Sequence, residues 1–141
     1  MIESKAEGLA TLETNLQTGL EKKIIQAMQK SVALVESEAK KKAPKGETGQ
    51  LRNSIESEVY IEDGAVVGIV FSNKEYAPYV EFGTGIFAEG GNGRADVPWH
   101  YQDAAGDWYT TYGMQPQPYM RPALSESKSK ITEIFKEELK Q

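Results

Sequence analysis

Between Leu9 and Ala43 the apolar residues fall at Leu9, Leu12, Leu16, Leu20, Ile24, Ala27, Met28, Val35 and Ala39. Steps of three and four residues draw one stripe along a helix, so the spacing predicts a long amphipathic helix over 9–43. Glu13, Lys22, Gln26, Gln29, Lys30, Glu36 and Lys40 fill much of its other side. Gly19 costs about 1 kcal/mol against alanine in a helix interior, which leaves a bend or a later start open at that point. The far end is well marked. Lys40, Lys41 and Lys42 complement the negative end of the helix dipole, and Pro44 stops the helix. A helix of that length reaches ~50 Å at 1.5 Å per residue. A single small core cannot cover it, so part of it is expected to pack on something else in this chain or another.

Beyond the helix the chain reads as sheet. Thr48 can cap a short turn that points Leu51 inward. Ile55, Ser57, Val59 and Ile61 then alternate with Glu56, Glu58, Tyr60 and Glu62, the pattern of a half-buried strand. Asp63-Gly64 is a strong hairpin turn signal. The return strand, 65–72, holds Val66, Val67, Ile69, Val70 and Phe71, so both of its faces are expected to be covered. In YAPYVEFG, Tyr76, Tyr79 and Val80 share one helical face and Pro78 suits a first turn. A short helix is expected there, with those three side chains inward and Glu81 off that face, paired with a basic residue such as Arg52 or Arg121 or reaching another subunit. Residues 83–98, with five glycines, read as a mobile loop. PWHYQ and DWYTTY around residues 103–106 suggest a second hairpin. A C-terminal helix beginning near Pro118 or Pro122 carries Leu124, Ile131, Ile134, Phe135 and Leu139. The whole predicts one α+β domain over 1–141: a long N-terminal and a C-terminal helix on a small antiparallel sheet, with a Gly-rich loop and a second hairpin.

Composition narrows the chemistry. At 141 residues, one domain with one core is the expectation, burying roughly two-thirds of the unfolded surface. The absence of cysteine removes disulfides, thiolate nucleophiles and cysteine-ligated zinc, and fits a reducing compartment. A net charge of -5 argues against a groove that grips nucleic acid, though not against an acidic surface that DNA slides past. No apolar run approaches the ~20 residues that span a bilayer, and MIESKAEG lacks the basic-then-apolar order of a signal peptide. A soluble protein, made in the cytoplasm, is expected.

The motifs that carry chemistry elsewhere are incomplete here. GTG at 83–85 lacks the lysine and spacing of a phosphate-binding loop, and GGNGRAD at 90–96 lacks the third glycine and strand–helix frame of a dinucleotide fingerprint. His100 is the only histidine; with Asp103 or Asp107 it lacks a nucleophile in a recognisable turn, and one histidine with scattered carboxylates does not make a metal set. No catalytic residue, cofactor or metal is therefore assigned. KKKAPK at 40–45 is more simply a helix C-terminus than a nucleic-acid patch. Trp99, Tyr101, Trp108, Tyr109 and Tyr112 lack the basic surround of a base-stacking platform, which favours cross-strand packing and protein contacts.

Three phrases, APKGETGQLRNSI (43–55), YAPYVEFGTG (76–85) and QPQPYMRPAL (115–124), stand in this order between a long helix and a C-terminal helix. Together they resemble the siphophage tail-completion or head–tail joining family, of the tail-terminator class. Members of that family often carry phenylalanine where Tyr119 stands, and they vary across 86–114. The resemblance implies an α+β fold and a structural rather than catalytic role. It also implies a ring, often a hexamer, at the tail–head junction of a tailed phage or prophage virion, touching the tail-tube and head-connector proteins while DNA passes through the lumen. On that reading Glu81, Phe82, Gly83, Thr84, Gly85, Ile86, Phe87, Arg94 and Arg121 are the expected intersubunit or docking residues. The competing expectation is a small enzyme or ligand-binding domain built on the Gly-rich loop with His100 and Asp103.

Overall fold

The structure is a computed structural model, and it describes residues 2–5, 9–15, 20–46, 49–91, 93–94, 96–102 and 105–140. Its elements run β1 (Ile2–Lys5), β2 (Leu9–Asn15), α1 (Glu21–Lys42), α2 (Gln50–Ser54), β3 (Ile55–Glu62) and β4 (Ala65–Ser72). After them come α3 (Ala77–Phe82), single 3-10 turns at Gly85–Phe87 and Glu89–Gly91, β5 (Trp99–Gln102), β6 (Trp108–Thr111) and α4 (Met120–Glu138). The α+β class is as expected. The first four strands form an antiparallel sheet in the order β1-β2-β4-β3, and β5 and β6 form a separate hairpin.

The predicted long helix is corrected at its start. Residues 9–15 are the strand β2, paired along β4 from Ala10 opposite Val70 to Asn15 opposite Ala65. The helix begins only at Glu21, after Leu20. Its 22 residues reach about 33 Å, which one core can cover. The physical reason lies in β4. Its apolar run forms an inner strand, and an inner strand needs a hydrogen-bonding neighbour on each edge. β3 satisfies one edge and β2 the other. That tertiary demand outweighs the local 3.6-residue period over 9–15.

The rest of the stripe holds. Ile24, Ala27, Met28, Ser31, Val32, Val35 and Ala39 are the buried face of α1, and each large apolar side chain among them contributes about 1.5–3 kcal/mol. They lie over β3 and β4, while α4 lies beside α1 and over β1 and β2, so two helices cover one face of the sheet. The helices are antiparallel: Lys42 pairs with Glu126 and Lys30 with Glu138. Small buried residues, Ala27 and Ser31 on α1 and Ala123 and Ser127 on α4, occupy their inner faces. α1 also presses directly on β4. A Cβ built at Gly68 would stand 2.5 Å from Val32 Cγ1 and 2.7 Å from Met28 Sδ, so only glycine fits there.

The β3–β4 hairpin turns at Asp63-Gly64, both at positive φ (49° and 76°), the conformation a two-residue turn requires. Along β3, Ile55 is buried and Ser57 and Val59 are half-buried, but Ile61 is exposed because it lies beyond the reach of the helices. Leu51 is buried on α2, as expected; the proposed cap at Thr48 lies outside the described residues.

Candidate functional site: a helix-to-helix latch and the groove beside it

The stretch Ala77–Phe82 is helical and Val80 faces inward as expected, but the tyrosines and Glu81 do not lie as expected. Tyr76 and Tyr79 are exposed, while Ala77, Val80 and Glu81 are buried, Glu81 completely. A carboxylate without solvent must be compensated by hydrogen bonds, and Glu81 finds them at the start of α4. Its Oε1 accepts from the backbone N–H of Tyr119 at 3.0 Å and of Met120 at 2.8 Å. Its Oε2 accepts from the N–H of Arg121 at 3.2 Å and from Arg121 Nε at 2.8 Å. The first N–H groups of a helix have no intrahelical partner and sit at the positive end of its dipole. Glu81 therefore caps α4 from a different helix. Neither Tyr119 nor any neighbouring side chain caps it locally.

Arg121 completes the latch. Its Nη2 also donates to the Glu81 carbonyl at 3.1 Å and its guanidinium reaches Glu89 at 2.9 and 3.0 Å. The same group lies 4.5 Å from the centre of the Phe82 ring, a cation–π distance. The hydrogen bond from Arg121 holds the Glu89 carboxyl below its ordinary range. Glu89 and then Glu81 in turn favour the charged form of Arg121 against its partial burial. Of the two arginines named as partners for Glu81, Arg121 is the one. Arg52 instead donates to the Ala43 carbonyl at 3.0 Å, closing the end of α1.

Tyr119 is fully buried beside the latch. Burial, and secondarily the Glu81 charge, pushes its phenol well above the ordinary tyrosine range, and its hydroxyl has no hydrogen-bond partner among the described residues.

At the start of the expected loop, residues 84–86 form a seam with residues 112–114. Thr84 N–H donates to the Met114 carbonyl at 3.0 Å and Ile86 N–H to the Tyr112 carbonyl at 3.1 Å. Met114 N–H returns a bond to Thr84 Oγ1 at 2.8 Å. Gly85 and Gly113 face each other across this seam, both at positive φ, and a Cβ on either would collide with the opposite backbone. Gly83 is closed in by Phe87, Met114 and Pro116. Ile86 is exposed and Phe87 half-buried. Arg94 lies over the Trp99 ring at 4.7 Å and pairs with Asp96 at 2.7 Å, which draws the Asp96 carboxyl down.

Tyr79, Phe82, Thr84, Arg94 and Trp99 line a groove of about 670 Å³ between α3 and the second hairpin. Of the expected docking residues, Phe82, Gly83, Thr84, Gly85 and Arg94 line this groove, Glu81 and Arg121 form the latch behind it, and Ile86 and Phe87 lie on the adjoining turn. Sequence reasoning missed Glu89, whose role depends on a fold-back of thirty-two residues, and the Gly85–Gly113 contact.

His100 is exposed and its Nδ1 is 2.8 Å from Thr110 Oγ1 across the hairpin; Asp103 lies outside the described residues. Among the described residues no group of histidine and carboxylate side chains is placed to hold a metal, and no helix is long and apolar enough to cross a membrane. The basic run at the end of α1 is engaged in ion pairs, Lys40 with Glu36, Lys41 with Glu38 and Lys42 with Glu126.

The fold and latch define a small two-layer α+β domain whose buried polar groups hold helices together and shape one groove. Residues 6–83, more than half of the chain, match the HK97-gp10-like family of bacteriophage tail components, and the chain belongs to that family. It is thus of a phage structural class found in the virion and in contact with other virion proteins. No curated protein and no solved structure matches it.

Proposed function

We propose that this chain is a tail-completion protein of a tailed phage or prophage. It forms a homo-oligomeric ring, hexameric on the family expectation, at the tail–head junction, where it ends the tail tube and receives the head connector. Membership of the tail-component family carries this reading. The exposed aromatic surface supports it: among the described residues, eight large apolar side chains between Tyr76 and Met114 stand in solvent, from α3 to the exit of the hairpin. Such a concentration marks a protein contact surface. A closed ring also needs two different patches on each subunit, and the groove and the hairpin are two such patches. DNA would pass through the lumen without specific binding, in keeping with the net charge of -5 and with Glu56, Glu58 and Glu62 standing along the exposed side of β3.

Electron microscopy of particles made without the protein tests the proposal. Separate full heads and tails, or tails of irregular length, are expected. Normally joined particles of normal tail length would refute it.

A further inference from the structure

We propose that the groove and the β5–β6 hairpin are the two halves of one head-to-tail contact between copies of this chain, with Trp108 of one copy seated in the groove of the next. The setting in a virion rests on the ring reading above; the contact itself is a property of the chain.

The argument starts from the hairpin. Its register pairs Trp99 with Thr111, His100 with Thr110, Tyr101 with Tyr109 and Gln102 with Trp108. Side chains alternate between faces along a strand. Trp99, Tyr101 and Tyr109 therefore share one face, with the tyrosine rings stacked at 5.4 Å, and Trp108 points to the other. The first face continues the groove wall, because Trp99 lines the groove. Trp108 is 69% exposed. It stands on the back of its own groove wall, so it faces away from its own groove. A two-stranded hairpin alone is marginal in water, and among the described residues no other helix or strand packs substantially on this one.

The occupant follows from size and area. The groove, at about 670 Å³, falls in the range that takes a ligand-sized group, and so has room for an indole. Tyr79, Tyr101, Tyr109 and Trp108 are 59%, 47%, 45% and 69% exposed. At 150–250 Å² per fully buried aromatic, they offer roughly 330–550 Å². That is about a fifth to a third of a standard interface of about 1,600 Å², supplied by residue types that dominate binding energy. Arg94 flanks the groove with Asp96 holding one side of its guanidinium. A knob and a hole on opposite faces of one hairpin cannot satisfy each other within a chain. Facing opposite ways, they suit a contact that propagates head to tail, which closes a ring when the rotation closes.

The chain contains no cysteine, so disulfide trapping reads the contact directly. Copies carrying Gln102→Cys, paired with Trp108 on the same face of the hairpin, are mixed with copies carrying Ala88→Cys in the groove lining, so that Trp108 and Tyr79 are both kept, then oxidised mildly and resolved without reductant. The same is done in assembled particles, and the reference pairs Gln102→Cys with Glu133→Cys on the exposed side of α4. The expected result is at least about tenfold more cross-linked dimer from the 88/102 mixture, from the raised effective concentration of the two thiols within the contact between copies. Trp108→Ala should weaken self-association in sedimentation, and the 88/102 cross-link with it, by a similar factor. Absence of 88/102 enrichment in both protein and particles overturns the contact. If oligomers form through another pair, the contact fails and the ring reading stands. If 88/102 cross-links form but particles lacking the protein join normally, the contact stands and the ring reading fails.

Discussion

Glu81→Gln isolates the charge of the latch from its shape. The amide is nearly isosteric, so the packing of Ala77 and Val80 on either side is preserved. The wild-type carboxylate accepts four hydrogen bonds, three from the first turn of α4 and one from Arg121. Glutamine keeps one accepting oxygen and turns an NH2 group toward at least one donor. Tyr119 and Met120 are fully buried, so no solvent replaces a lost acceptor, and each orphaned N–H costs about 1–3 kcal/mol. Loss of the favourable charge at the helix N-terminus adds about 0.3–1 kcal/mol. The expected cost is roughly 2–4 kcal/mol, a large share of the 5–15 kcal/mol that holds an ordinary domain. At this chain length it lowers the melting temperature by on the order of 10 °C. Thermal unfolding followed by far-UV circular dichroism measures it. Two further variants set the scale. Arg121→Met leaves Glu81 its three backbone donors and should cost less than Glu81→Gln. Glu89→Gln removes only the exposed arm and should cost least of the three, since an exposed ion pair is screened by solvent. A Glu81→Gln protein melting within about 2 °C of the parent, or the reverse order of the three, would refute the claim that a buried carboxylate caps α4.

Further outcomes rest on the same packing. Gly68→Ala forces a methyl against Val32 and Met28 and should cost about 1–3 kcal/mol by denaturant titration. Tyr119→Phe removes a hydroxyl that has no partner among the described residues, and should be neutral or mildly stabilising at neutral pH. Because the Tyr119 phenol is raised in the fold, the unfolded chain releases that proton first. Stability is then fully present below about pH 10 and falls by about 1.4 kcal/mol per pH unit above it. The same Tyr119→Phe variant should flatten that decline in alkaline melts. Gly113→Ala places a methyl against the Thr84 carbonyl at a positive φ, and should loosen the hairpin seam, read as faster amide exchange at Thr84, Ile86 and Met114, with the α1 core protected as before. Deleting 86–95 should spare the cooperative melt and impair docking, since the apolar anchors of the core lie outside it; loss of the melt would show that the Glu89 arm and the groove turns are needed to fold.

Much of this architecture was legible in the residues themselves. The periodicity of α1 from Leu20 onward, the alternation along β3, the Asp63-Gly64 turn and the second hairpin are consequences of local chemistry, and local chemistry is what a sequence displays. The N-terminal segment shows where that stops. Leu9, Leu12 and Leu16 continue the helical stripe without a break, and the pairing of 10–15 as a strand arises only because β4, fifty-odd residues away, needs a second neighbour. The nearly continuous apolar run of β4 held that information, since an inner strand has two edges to satisfy as well as two faces to cover.

Glu81 carries the same lesson for the site. On a short helix with tyrosines at i and i+3, the face bearing the aromatics reads as the core and the carboxylate as lying off it, in an ion pair. The orphan N–H groups of α4 reverse this: a helix that begins Tyr-Met-Arg-Pro has no local capping side chain, so an acceptor must come from elsewhere if that end is buried. The carboxylate goes inward to meet this need, and the helix rotates to follow it, which turns Tyr79 out to line the groove and leaves Tyr76 in solvent. The interaction surface is thereby a consequence of the latch. A lost cap at α4 would release not one hydrogen bond but the orientation of α3, and with it the aromatic wall presented to a neighbouring subunit.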